Sequence, residues 1–393
     1  MSKKSHSTVD RRNFFKLLAT GTVGAAVSPS AFAGKLTLAD EKPEKPQTNV
    51  DDLKKYPRNK NSMPGAFPAS VVQVNHEGSV VDNQPVYQAA YDMVARGMLE
   101  LTGKRNLKKA WRVFVKPGET IGLKVNPVAG KLLTTSHEVV KAVIAQLEEA
   151  GIKRKDMVIW DRREFQLHET GFTEENYPGI KITGTEQKDK DGSYYDTDGK
   201  LYGESMIDKD WYYWADVEGE YDEYTIPFMV NGGKYSYFSK ICTQQVDKII
   251  NIPILKNAGS TVTLAMKNLA FGAITNTSRL HKQLWFETCA HVCAFPPLRD
   301  KVVLNIADGL RGCFNGGPSA NPQFITNYKT ILVGSDAVAV DRVGYEIVLK
   351  KRIEEGLLEK ENPRSRTFLD MAAELELGEA NLEKISWKKF NLG

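Results

Sequence analysis

Short apolar runs alternate along this chain with longer segments whose apolar residues recur at every third or fourth position. Runs of the first kind read as buried strands, and segments of the second as amphipathic helices. Strands are predicted at 71–74, 120–125, 157–160, 302–307 and 330–333. A further Ile-rich strand starts at Lys248 and is ended by Pro253 and the 256–259 segment. Helices are predicted at 84–102, closed by Gly103, and at 136–151, 279–292 and 363–377, with one at 337–355 behind the cap Asp336. The Ile-rich strand leads into another helix, with Ser260 or Thr261 as its cap and Gly272 at its close. Strand–helix–strand succession implies parallel crossovers. The expected fold is therefore α/β, a mainly parallel central sheet flanked by helices.

Residues 165–245 break this pattern, being rich in Tyr, Trp, Gly and Asp. They read as an aromatic-rich β-hairpin insertion with turns at Asp191-Gly192 and Asp198-Gly199. A calcium loop is excluded there, because Gln187 stands where the first carboxylate ligand belongs. The insertion separates a first α/β part, 66–164, from a second, 246–393, that completes the same core. Residues 34–65 are polar and proline-bearing and read as a flexible arm.

Polar residues gather where the predicted strands end. Lys124, Asn126 and Asp161 follow two of them, and Asp308 a third. Open α/β sheets bind ligands at such carboxyl ends. Lys256 lies past the Ile-rich strand, whereas Lys267 and Asn268 sit inside an otherwise apolar helix. An ammonium in such a helix must reach water, a counter-charge or a ligand. Three lysines at one rim suit a small anion, with Lys124, Asn126, Asn268 and the Gly316-Gly317 loop as binding groups. Lys256, Lys267 and His281 are the candidate catalytic groups. Asp161 and Asp308 could hold a divalent metal. The expectation is geometric: Lys124, Lys256, Lys267 and Asp161 converge on one pocket.

Apolar residues make up 41% and charged residues 26%, an ordinary soluble composition. The first 33 residues stand apart as a leader. They have a basic start, a short apolar stretch and an Ala31-Phe32-Ala33 cleavage signal. Asp10-Arg11-Arg12-Asn13-Phe14-Phe15-Lys16 resembles a twin-arginine (Tat) signal, which implies export of a folded protein by the Tat translocase to the periplasm or another extracytoplasmic space. The leader holds five of the 53 basic residues and one of the 49 acidic residues, so the remainder is formally neutral. Neither nucleic acid nor a stable membrane span is expected. The four cysteines lack the spacing of a self-contained iron–sulfur cluster and read as buried thiols or disulfides.

Four pieces together resemble the domain of unknown function 362 family. They are Ile121-Gly122-Leu123-Lys124-Val125-Asn126-Pro127, the Thr135-to-Val140 helix start, Ile254-Leu255-Lys256 and Thr263-Leu264-Ala265-Met266-Lys267-Asn268 with Gly272 and His281, and Ile306-Ala307-Asp308-Gly309, Gly316-Gly317-Pro318 and Gly334-Ser335-Asp336-Ala337-Val338-Ala339-Val340-Asp341. The resemblance implies a fold and a site but no reaction. Two function classes remain open: an enzyme acting on a small anion, with or without a metal, and a non-catalytic binding or accessory protein of a redox system.

Overall fold

The computed structural model describes residues 45–187, 204–218, 233–259, 261–358 and 361–393. The leader and both Asp-Gly turns lie outside these residues. From Lys45 the chain lies against the body: Met63 is fully buried, and its amide donates to the Arg299 carbonyl at 2.7 Å.

The principal strands and helices, in chain order, are β1 (Ser70–His76), α1 (Tyr87–Thr102), β2 (Ile121–Lys124), α2 (His137–Glu149), β3 (Met157–Arg163) and β4 (Lys181–Glu186). A separate antiparallel hairpin of β5 (Ile207–Trp214) and β6 (Tyr235–Ser239) follows. The chain then forms β7 (Lys248–Asn251), β8 (Ile254–Ala258), β9 (Thr261–Thr263), α3 (Ala265–Ala273), α4 (Trp285–Ala294), β10 (Val302–Cys313), β11 (Thr330–Gly334), α5 (Ala337–Glu354) and β12 (Ser386–Leu392).

The main sheet runs β12-β1-β11-β10-β7-β2-β3-β4, with β8 also paired to β10. The pairs from β10 through β4 are all parallel, and β11 is antiparallel to both its neighbours. The fold is thus α/β with a mainly parallel central sheet. Strand alternation gives each face its own core. Met157 and Ile159 face the layer of α1 and α2, while Val158 and Trp160 face the layer of α3, α4 and α5.

Chain order reverses across the β2–β7 pair. β3 and β4 lie on one side of it and β10 on the other. Such a switch point opens a crevice at the strands' carboxyl ends. Lys124 and Asn251, paired across β2 and β7, stand at that place.

Several expected boundaries move. Residues 165–187 are not insertion, because β4 extends the main sheet and the hairpin comes later. The 279–292 helix is broken at Leu284, leaving His281 on a four-residue turn ahead of α4. The carboxyl-terminal tail forms an edge strand, β12, parallel to β1.

The largest correction concerns the Ile-rich segment. Pro253 ends β7, but the chain re-enters the sheet as β8, and Lys256 sits inside that strand. Thr261 belongs to β9, which returns antiparallel to β8, and does not cap the helix. Helix α3 has no side-chain cap of its own. Asp341 of α5 supplies it, accepting from the Ala265 amide at 2.5 Å and the Met266 amide at 3.0 Å. A carboxylate at a helix N-terminus satisfies orphan donors and complements the dipole. Asp341 is therefore structural and does not join a lysine.

Replacing Asp341 with Ala should lower the unfolding free energy by roughly 2–3 kcal/mol, the combined cost of a lost cap and buried unsatisfied amides. Denaturant unfolding measures it, and a change within error would remove Asp341 from this role.

Candidate functional site

All nine residues of α3 are buried, including Lys267 and Asn268. The helix lies over the switch point and brings these polar side chains against β2, β3 and β8. It fits there because of Gly272. A Cβ at that position would lie 2.3 Å from Lys124 Cε and 2.7 Å from Nζ. Gly272 therefore gives Lys124 its space and does not close the helix, which runs on to Ala273.

The three lysines have different surroundings. Lys124 is fully buried and donates to Asp161 Oδ1 at 2.5 Å, the Val125 carbonyl at 2.8 Å and Asn268 Oδ1 at 3.0 Å. An ammonium has three donors, so this one is saturated. The Lys256 side chain makes a single hydrogen bond among the described residues, to Asn126 Oδ1 at 3.0 Å. Lys267 makes none among the described residues. Its ammonium stands 4.9 Å from the Trp285 ring centre and 5.6 Å from that of Phe271. Neither Lys256 nor Lys267 has a carboxylate within ion-pair distance among the described residues.

Because lysine can only donate, these contacts fix the amides. Asn268 Oδ1 faces Lys124 and also accepts from Asn126 Nδ2 at 3.0 Å. Asn268 Nδ2 then donates to Asn251 Oδ1 at 2.8 Å, and Asn251 Nδ2 to Asn305 Oδ1 at 2.9 Å. A buried relay of amides thus ties α3 to β7 and β10.

Lys256, Lys267, Asn126, Asn268, Asp161 and His281 line one cavity of about 100 Å³, together with Arg162, Thr263, Phe271 and Pro318. That is well below the roughly 300–1,000 Å³ of drug-sized pockets and suits a ligand of a few heavy atoms. Lys124 stands one hydrogen bond behind this lining, bonded to Asp161 and Asn268.

Burial sets the protonation of the lining groups. It pushes Lys256 down to about 7, with Lys267 adding like-charge repulsion. Burial brings Lys267 to about 8. His281 falls to about 3, through burial first and then Lys267 and Arg162. Its Nδ1 lies 3.0 Å from the Thr277 carbonyl and must carry the proton, leaving Nε2 as an acceptor. His281 is thus a neutral acceptor at physiological pH.

Not every expected residue reaches the site. Asp308 accepts from the Ser136 amide at 2.7 Å and the Leu310 amide at 3.0 Å and does not line the cavity. It shares no metal-binding set with Asp161, whose Oδ1 takes Lys124, and no group of three or more His, Cys, Asp or Glu suited to a metal occurs among the described residues. Gly316 and Gly317 also stay outside the lining. Gly317 donates to Asn257 Oδ1 at 3.3 Å and packs so closely that a Cβ would meet the Asn257 carbonyl at 1.7 Å. Pro318 is the part of that loop that reaches the cavity. The four cysteines are free and buried.

Arg162, Asn251 and Asn305 were absent from the expected set. Arg162 directly follows Asp161, and the two asparagines interrupt otherwise apolar strands. A buried amide within an apolar strand is the signal that would have found them.

Residues 215–346 match the family described as Domain of unknown function (DUF362). The matched segment carries Lys256, Lys267, Asn268 and His281 and supports the family resemblance. No curated protein matches the chain. Among solved structures, the chain is similar to a Thermotoga maritima protein from the Northeast Structural Genomics Consortium, at 10% identity and a TM-score of 0.38. The alignment covers 68% of this chain and 59% of that one.

Lys256 in the folded protein loses its proton near pH 7, whereas a free lysine keeps it to about 10.4. Between these values the unfolded chain binds the extra proton, so this lysine's penalty is full below pH 7 and fades as pH rises. Lys256→Met should therefore melt several degrees above wild type at pH 6, with the gap narrowing by pH 9. A gap independent of pH would contradict the burial of an ionisable amine here.

Proposed function

We propose that this chain is an enzyme that binds a small anionic substrate in the cavity between β8 and α3 and moves a proton on it. The observation that carries this reading is Lys267, a buried ammonium at the wall of a small cavity, without a hydrogen bond or counter-charge among the described residues. A desolvated cation in that position is strongly stabilised by an anion. Asp161 does not fill the role, because it is engaged by Lys124.

The lining supports a division of labour. Lys267 anchors the anionic group, beside Arg162, whose own charge is met by Glu186 at 3.4 Å. His281 Nε2 accepts a hydrogen bond from a substrate hydroxyl or amine. Lys256, brought near neutrality by burial, is the group suited to take and return a proton. The leader with Arg11 and Arg12 supports export by the Tat translocase and a periplasmic or other extracytoplasmic location. Cleavage after Ala33 can be read from the mature amino-terminal sequence. Among the described residues no helix is long and apolar enough to cross a membrane.

Binding stabilises the folded state by mass action. Acetate, oxalate or phosphate at millimolar concentration should raise the melting temperature of the wild type. Lys267→Met should lose that shift, and Lys131→Met, an exposed position, should keep it. No shift with any of the three anions, or an equal shift in Lys267→Met, would overturn the anion site. A normal shift with no reaction on any small acid would leave a binding protein.

A further inference from the structure

We propose that Lys256 is a covalent nucleophile, and that the substrate class is a small oxo acid whose carbonyl carbon it attacks while Lys267 holds the carboxylate. This rests on the anion-site reading above and goes further, by naming the reacting group and the bond formed.

The three lysines are not equivalent as nucleophiles. All three N–H groups of Lys124 are committed to acceptors, and its amine stands behind the lining. Lys267 faces two aromatic rings, which favour its charged form. Lys256 differs from both. It lies in the cavity wall, 1% exposed, and Asn126 Oδ1 holds one N–H at 3.0 Å. Its two remaining N–H positions have no hydrogen-bond partner among the described residues. Asn126, on the loop just past β2, is in turn held by Asn268 of α3, so the partner of this amine is tied into the buried amide network.

Two neighbours complete the arrangement. Thr263 is the direct cross-strand partner of Lys256 in the β8–β9 pair, so its side chain shares that face and it lines the cavity. It adds a hydroxyl-bearing side chain to the cavity wall on the face of Lys256. Lys267 supplies the adjacent positive charge that disfavours protonation of Lys256, a known way to make a lysine nucleophilic at neutral pH.

The step balances without a co-reactant. The Lys256 nitrogen lone pair adds to the carbonyl carbon, and the C=O π pair moves to oxygen. That oxygen takes up the proton lost from nitrogen, giving a carbinolamine. That oxygen then takes up a second proton, the one released when the Lys256 ammonium became neutral, and departs as water, leaving an iminium between Lys256 and the substrate carbon. The iminium then withdraws electrons from the neighbouring carbon, where a proton or carboxyl group can leave. Burial of the cavity limits the return of water to this linkage.

Reductive trapping tests the proposal. The full chain is incubated with pyruvate, 2-oxobutyrate or acetoacetate in the presence of borohydride, and the peptides are mapped by mass spectrometry. The expected result is one adduct at Lys256, absent with lactate, which has no carbonyl. Lys267→Met should reduce its yield by roughly tenfold or more, the loss of one charge-assisted contact. Lys256→Arg should abolish it. Peptide mapping of the wild type gives the answer even if that variant does not fold. An adduct on another lysine, or adducts scattered over surface lysines, would overturn the proposal. Oxo acids that raise the melting temperature without any adduct would overturn it while leaving the anion site standing. Oxo acids that neither bind nor react would overturn both.

Discussion

A buried ammonium needs acceptors for three protons, and Lys124 has all three. This single group fixes the geometry around it. Asp161 is held within the last paired stretch of β3, Asn268 must present its oxygen, and α3 must approach through Gly272. The orientation of Asn268 then sets Asn126 on one side and the Asn251–Asn305 relay on the other. Asn126 in turn aims Lys256. One saturated lysine thus organises the wall in which two unsaturated lysines stand. Removing one partner of such a network would leave buried polar groups unpaired, which costs more than each bond contributes alone.

The contrast between the lysines also separates structure from chemistry. Lys124 is neutralised by Asp161 and has nothing left to offer a ligand. Lys256 and Lys267 carry unspent hydrogen-bonding capacity into a cavity that only a small molecule can enter. Burial moves both toward the pH range in which they can exchange protons.

Much of the fold was legible in the sequence because buried parallel strands and amphipathic helices have distinct periods. The runs that became β2, β3, β10 and β11 and the helices α1, α2 and α5 follow that rule. The departures have physical reasons. Lys256 looked like a strand terminator because lysine is rarely buried, yet pairing with β9 and β10 holds it in a strand. The α3 cap could not be found locally, since Asp341 lies some 75 residues away along the chain, a distance only tertiary structure closes. Strand β12 alternates weakly because it is a half-exposed edge. Within the site, polar residues at strand ends pointed to the right place. Spacing could not tell Asp161, which meets Lys124, from Asp308, which meets backbone amides, because both look the same in sequence. Nor could it show Arg162 among the residues that line the cavity.

The anion site rests on an anion completing the charge of Lys267. At pH 8 this lysine is partly neutral, and an anion beside it favours its protonated form, so binding must take up protons. The direct measurement is calorimetric titration with acetate at pH 8 in two buffers of different ionisation enthalpy. Net proton uptake on binding is the expected result. Acetate binding with no proton uptake, or no binding at all, would contradict it.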